Sequence, residues 1–374
     1  MKLLIINDLA SGGGVERVMQ DLAFHLCKSG SIPTILCLNS TRKEMRKVLH
    51  APLRCISLSP IFRRGLRYRL MRKLNAFWHR LHLYWLKRQR WDVVIAIKEG
   101  PSLQLAAKLN AVRKFGWVHV DYQYLYWTRS VFGSAEAERK VMQCFDAIIC
   151  VSNAAAKSVC RVIGDPGNLC VRYNPLHVDQ IRNKAKQPLS EQKNIRPLFI
   201  AVGRLDAQKN FELLIRSAAK ILKRKNFELH IIGDGPQRHL LQAIIQQEHV
   251  EHNIKLLGAK QNPYPHIQQA DWFVSTSISE SYGLAIQEAL ILGVPVIATR
   301  CPAIEEVCDP RFCLITDNEE AAFTKALDHV LQHPELAVQY RENIRDSYHG
   351  KQELYTDRLQ LITELWERLS NEQP

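Results

Sequence analysis

Short apolar runs alternate with stretches of helical apolar spacing along almost the whole chain, and this alternation limits the fold more than any other feature. Residues 2–7 read as a buried strand, and Val15, Val18, Met19, Leu22, Ala23 and Leu26 then mark one face of a helix. Further strands are predicted at 34–38, 92–97, 116–120, 147–151 and 170–173, with helical patterns between most of them. The series restarts at 198–202 and runs through a helix at 211–224, a strand at 227–232 and a helix from Pro236. Strands at 255–257 and 272–275, a helix from Leu284 and a strand at 295–298 complete it. Strands joined through helices imply parallel sheets covered on both faces.

The chain has 374 residues, enough for two domains of about 180 each. The polar stretch around Lys184, Lys186, Pro188 and Glu191 is the natural linker. The fold class predicted is α/β, with two Rossmann-like doubly wound domains facing across a cleft. The N-terminal domain is expected at 1–183, the linker at 184–197 and the C-terminal domain at 198–351. A last helical stretch at 352–374 is expected to cross back to the N-terminal domain. Ligand should bind at the carboxyl ends of the strands.

Hydrophobic residues at 46% and charged residues at 24% exclude a disordered chain. The net charge of +14 is uneven: residues 1–183 carry 29 Lys and Arg against 12 Asp and Glu, and the remainder 22 against 25. The excess concentrates in residues 45–91, with thirteen Lys or Arg and no acidic residue, interleaved with Phe62, Tyr68, Phe77, Trp78, Tyr84, Trp85 and Trp91. Basic residues with aromatics suit an anionic headgroup layer. They also suit RNA, or a cationic helical face whose aromatics enter the core. The ten cysteines form no C-x-x-C pair, as expected of reduced core residues in a cytosolic protein. The opening MKLLIIN is too short for a signal-peptide apolar region, and no apolar run of 18 residues occurs, so neither leader nor transmembrane helix is expected.

The most informative stretch is Ser279-Glu280-Ser281-Tyr282-Gly283-Leu284-Ala285-Ile286-Gln287-Glu288. Glu280 falls where a strand ends and Glu288 inside the following helix. Two solvated glutamates on an amphipathic helix would give the same spacing. A nucleotide diphosphate-sugar, however, needs acceptors at both ends, for sugar and for ribose hydroxyls. Its diphosphate suits the backbone N–H groups of a helix N-terminus, here opened by Tyr282, Gly283 and Leu284. Gly13 and Gly14, between the first strand and its helix, make a second anion-accepting loop or simply a tight turn. They fit neither a P-loop nor a dinucleotide fingerprint.

These residues resemble the E-x7-E signature of the retaining family 4 glycosyltransferases, which have the GT-B fold. The likeness extends to Gly203-Arg204-Leu205, Gln208-Lys209-Asn210, Gly233-Asp234-Gly235-Pro236, Gly258 and the N-terminal Gly-Gly-Gly-Val-Glu-Arg-Val. It implies that Arg204 and Lys209 bind the donor diphosphate, that Glu280 positions the sugar, and that Asn262 lies where such enzymes grip the base. In similar enzymes a histidine placed like His119 faces the donor sugar, although a hydrogen-bonded rim histidine is equally simple chemistry. Asp121 could bind acceptor or hold His119. Cys301-Pro302 stands where many relatives carry Gly-Gly. With no D-x-D triplet, no metal and no cofactor are expected.

The resemblance implies an enzyme that moves a hexosyl sugar from an NDP-sugar, UDP- rather than GDP-linked, to a glycan or lipid-linked acceptor of lipopolysaccharide or another surface polysaccharide. Such an enzyme would be cytoplasmic and peripheral at the inner face of the cell membrane, with an anionic membrane surface as partner and no nucleic acid. A nucleotide-sugar epimerase on a similar fold and a non-catalytic basic scaffold for membrane or RNA are the alternatives.

Overall fold

The computed structural model describes residues 2–8, 14–28, 30–40, 45, 53–58, 80–174, 176–189 and 197–348. Two compact units divide the chain, the second opening at Leu176.

The first unit is built on seven parallel strands in the order β3-β2-β1-β4-β5-β6-β7. They are β1 (Leu3–Asn7), β2 (Thr34–Cys37), β3 (Arg54–Ser57), β4 (Arg90–Ala96), β5 (Asn110–Val118), β6 (Ala147–Cys150) and β7 (Leu169–Val171). Every residue of β1 is buried, as a central strand covered by helices on both faces requires. Its register sets Ile5 against Ile35 of β2 and Ile95 of β4. The helix Gly14–Lys28 turns Val18, Met19, Leu22, Ala23 and Leu26 into the core.

The second unit repeats the plan with six parallel strands in the order β10-β9-β8-β11-β12-β13. These are β8 (Leu198–Val202), β9 (Glu228–Ile232), β10 (Ile254–Gly258), β11 (Trp272–Ser275), β12 (Val296–Thr299) and β13 (Cys313–Thr316). The helix Phe211–Leu222 buries Phe211, Leu214, Ile215, Ala218, Ala219 and Ile221 against Phe199, Leu229 and Trp272. In both units the strand order reverses beside the first strand, between β1 and β4 and between β8 and β11. Helices leave such a point in opposite directions and open a crevice outside the strand ends.

The two doubly wound α/β units are as the alternation predicts, and three details differ. Strands β3 and β13 are sheet edges with few buried residues, so neither shows the apolar run that marks a central strand. Strand β5 starts at Asn110 rather than near 116, because its charged first half stays at the surface, where Arg113 pairs with Asp146 at 2.8 Å. The division also precedes the expected linker. The helix Val178–Ala185 buries Val178, Ile181 and Ala185 and packs on the helices Tyr264–Gln269 and Leu284–Ile291, which makes it part of the second unit. Residues 190–196 of that linker, the stretch 352–374, most of the basic segment 45–91, and Gly13 lie outside the described residues.

Candidate active site

The second unit presents its chemistry where β8 and β11 end. After β8 the chain passes Gly203 and Arg204 and enters a single 3-10 turn, Ala207–Lys209, in which the Asp206 side chain accepts from the Lys209 N–H at 3.3 Å. Glycine at 203 leaves room for the Lys209 side chain, since a Cβ there would stand 3.1 Å from Lys209 Cε. Gly233, from the end of β9, abuts the Gly203 carbonyl so closely that a Cβ would fall 1.8 Å from the oxygen. Its φ of 149° is also one that side chains rarely adopt. The two glycines thus bring neighbouring strand-end loops into backbone contact.

Four hydrogen bonds to main-chain carbonyls then lace the β8 loop to the β11 loop. Ile278 N–H donates to the Gln208 carbonyl at 2.9 Å, and the Gln208 amide donates to the Ser279 carbonyl at 2.9 Å. Thr276 Oγ1 bridges the carbonyls of Lys209 and Asn210 at 2.9 and 3.0 Å. On this frame Lys209 Nζ meets Glu280 Oε1 at 2.5 Å, and Ser277 Oγ donates to the same oxygen at 2.7 Å. Arg204 is largely exposed, 3.8 Å from Asp206.

Past Glu280 the chain turns at Gly283, whose left-handed φ of 73° starts the helix Leu284–Ile291 with no side chain capping it. The uncapped end keeps backbone N–H groups and the positive end of the helix dipole next to Glu280 and Tyr282. The helix is buried from Ile286 onward, including Glu288. Glu288 Oε1 accepts from the Tyr264 hydroxyl at 3.1 Å. Lys209 and Glu280 are thus in contact, while Arg204 follows β8 and Tyr282, Gly283, Leu284 and Glu288 follow β11, the neighbouring strand. Asn262 is not available in the way expected. Its Nδ2 donates to the Lys184 carbonyl and Gln187 Oε1, and its Oδ1 accepts from Tyr264 N–H. The whole amide fastens its loop to the helix Val178–Ala185 instead of standing open to a base.

In the first unit Gly14 is exposed at the start of its helix. His119 follows β5 and is buried, its N–H donating to Glu99 Oε2 at 2.9 Å. Burial, with the Lys98 ammonium second, lowers the imidazole pKa to about 3, while a ring hydrogen bond to the Ile97 carbonyl opposes this. The ring is neutral, and its buried Nε2 has no partner. Asp121 instead organises the following turn, accepting from Gln123 N–H at 3.0 Å.

Two carboxyl groups here went unread in the sequence. Glu99, after β4, is wholly buried, with its Oε1 unpartnered. Asp8, after β1, accepts from the Ser102 N–H and hydroxyl. Burial raises the pKa of both carboxyls above the ordinary carboxylate value, disfavouring their charged forms. Their signal was positional, since Asp8 directly follows the central strand β1 and Glu99 comes just beyond the end of β4, much as Glu280 follows β11.

Two family models match. "Glycosyltransferase Family 4" covers residues 12–180, and "Glycosyl transferases group 1" covers residues 180–347. The chain belongs to glycosyltransferase family 4. HepE of Anabaena, solved in complex with UDP, superposes at a TM-score of 0.76 over 98% of this chain and 100% of HepE, at 16% identity, and shares the GT-B fold. The lipopolysaccharide 1,6-galactosyltransferase of Salmonella typhimurium is 25% identical over 321 residues, 80% of each chain. An uncharacterised glycosyltransferase of Methanocaldococcus jannaschii is 35% identical over 133 residues, which are 34% of this chain and 33% of that relative. The chain therefore aligns with only about a third of that relative's length.

The buried groups of this glycosyltransferase's first unit predict opposite pH dependences. His119 has a folded pKa below its unfolded value, so the stability it contributes is present above about 6.5 and is lost as pH falls toward 3. Glu99 has a raised folded pKa, so its contribution is present at low pH and is lost as pH rises beyond the ordinary carboxylate range. In thermal unfolding, His119→Gln should gain on the parent as pH falls from 6.5, and Glu99→Gln should gain as pH rises toward neutrality. Parallel curves for parent and variants would refute these assignments.

Proposed function

We propose that this glycosyltransferase is a retaining, metal-independent hexosyltransferase using an NDP-sugar, UDP-linked, and a membrane-associated glycan or lipid-linked acceptor. One observation carries the reading: Lys209 and Glu280 are clamped together at the strand ends, beside the uncapped N-terminus that opens at Gly283. A diphosphate leaving group needs fixed positive charge where its negative charge develops. Lys209, Arg204 and the helix N-terminus supply that charge without a metal.

In the reaction the acceptor hydroxyl attacks the face of the sugar from which the diphosphate departs, and the departing phosphate takes the proton. Glu280 holds sugar hydroxyls, and Glu288, one oxygen fixed by Tyr264, accepts from the ribose. His119 offers a neutral ring nitrogen to the sugar. The UDP bound by HepE supports a UDP-linked donor, and the named product of the Salmonella relative supports a lipopolysaccharide-type acceptor.

A membrane location is supported by the helical run 80–88, which exposes Tyr84 at 55% and Trp85 at 46%, with Arg88 stacked 5.1 Å from the Tyr84 ring. Among the described residues no helix is long and apolar enough to cross a membrane. Exposed aromatics among cations instead suit reversible docking on an anionic cytoplasmic leaflet.

Proton NMR of the product from an α-linked UDP-sugar should show an α linkage, at a rate unchanged by EDTA. A β linkage, or loss of turnover reversed by magnesium or manganese, would overturn the mechanism. Lys209→Ala and Arg204→Ala should each reduce kcat by roughly 10²-fold, because each removes charge stabilisation that grows in the transition state. An unchanged kcat for Lys209→Ala excludes that residue from the charge stabilisation.

Partition onto vesicles containing anionic lipid should exceed that onto neutral vesicles, and should fall with salt without vanishing, because aromatic burial is not screened. Replacing Tyr84 and Trp85 together with Ser should remove the salt-resistant part. Equal partition of parent and variant would show that these rings do not face the bilayer.

A further inference from the structure

Glu280 is held from two sides at one oxygen. Lys209 Nζ lies 2.5 Å and Ser277 Oγ 2.7 Å from Oε1, while Oε2 accepts no hydrogen bond within the described structure. The two partners differ in what a ligand does to them. Lys209 is a mobile ammonium that a diphosphate attracts. Ser277 is buried, and it is fixed by its own surroundings. Its carbonyl accepts from Thr299 Oγ1 at 2.8 Å, and its hydroxyl lies 3.3 Å from Ser275 Oγ. A hydroxyl has one proton. With the Ser277 proton on Glu280, Ser275 donates to Ser277, giving a directed relay from Ser275 through Ser277 to the carboxylate.

We propose that Ser277 is a positioning residue, whose hydroxyl keeps Glu280 oriented toward the sugar when the diphosphate draws Lys209 away from the carboxylate. This rests on the donor reading above. Arrival of the diphosphate replaces a nearby cation with nearby negative charge, and an untethered carboxylate would turn away from it. The buried Ser277 hydroxyl opposes that turn, and a charge-assisted O–H···O⁻ bond is among the stronger hydrogen bonds available. Oε2 then remains open to a sugar hydroxyl. The same arrangement accounts for the pairing of Lys209 with Glu280 in the absence of ligand, which keeps the cation from standing uncompensated in a half-buried site.

The test compares UDP with UDP-glucose as probes, by calorimetry on the full chain. Ser277→Ala should weaken UDP-glucose binding about tenfold, the scale of a lost hydrogen bond to a charged group, and leave UDP binding within about twofold of the parent. Ser277→Cys, similar in size but a weak donor, should behave in the same way and serves if the alanine variant does not fold. In a double-mutant cycle, Ser277→Ala should cost almost nothing further in a Glu280→Ala background. Equal losses for UDP and UDP-glucose, additive effects in the cycle, or unchanged UDP-glucose binding would each overturn the proposal. A parent that binds neither UDP nor UDP-glucose would instead refute the donor reading, and the two failures are thereby separated.

Discussion

The contact between Lys209 and Glu280 depends on the reversal of strand order between β8 and β11. Because helices leave these two neighbouring strands in opposite directions, no helix covers the strand ends, and the loops after them are free to meet. They meet at backbone carbonyls: Ile278 N–H donates to the Gln208 carbonyl, the Gln208 side-chain amide donates to the Ser279 carbonyl, and the Thr276 hydroxyl bridges two carbonyls of the other loop. A lysine and a glutamate 71 residues apart in sequence are thereby held at 2.5 Å. The ion pair is a consequence of this lacing more than its cause. A half-buried pair offsets much of its attraction by desolvation, whereas saturated main-chain groups fix the geometry.

The same logic explains where small residues are obligatory. Gly233 must pass within contact of the Gly203 carbonyl, and Gly203 must leave space for Lys209. Gly283 must adopt a left-handed turn so that the helix Leu284–Ile291 begins without a side-chain cap. Each glycine exchanges local stability for a close approach or a backbone conformation that a side chain would forbid. The helix it opens is buried nearly all round, so packing, rather than amphipathic patterning, keeps it in place.

The central strands and the strand-to-helix turn that carries Glu280 and Glu288 were legible because both leave strong marks in a sequence. A fully buried parallel strand is a continuous apolar run, and Glu280 and Glu288 bracket a glycine at a strand-to-helix turn. Edge strands β3 and β13 leave weaker marks, since half their residues face outward. The second unit opens at Leu176, before the linker expected at 184–197, because the short helix Val178–Ala185, read with the first domain up to residue 183, buries its apolar side in the second. Asn262 looked like a ligand group, yet its amide is engaged by a helix end 75 to 78 residues earlier, a contact that no local pattern reveals. Glu99 and Asp8 went unread for a related reason: their character comes from complete burial, a property of the packed sheet and not of the neighbouring sequence.

Charge distribution adds a final constraint on how the proposed anionic donor would be recognised. Residues 176–357, the second unit, carry 21 Lys and Arg against 23 Asp and Glu, so its overall field does not draw a diphosphate toward it. Attraction must come from local groups aimed at one place: Lys209, Arg204 and the uncapped end at Gly283. Of these, Lys209 is neutralised by Glu280 until a stronger anion arrives, and Arg204 is exposed enough to reorient freely. A site of this kind discriminates by geometry rather than by net charge. A stray anion gains little by displacing Glu280. A diphosphate that also meets the helix N-terminus, and whose sugar engages the freed carboxylate, gains from each contact at once.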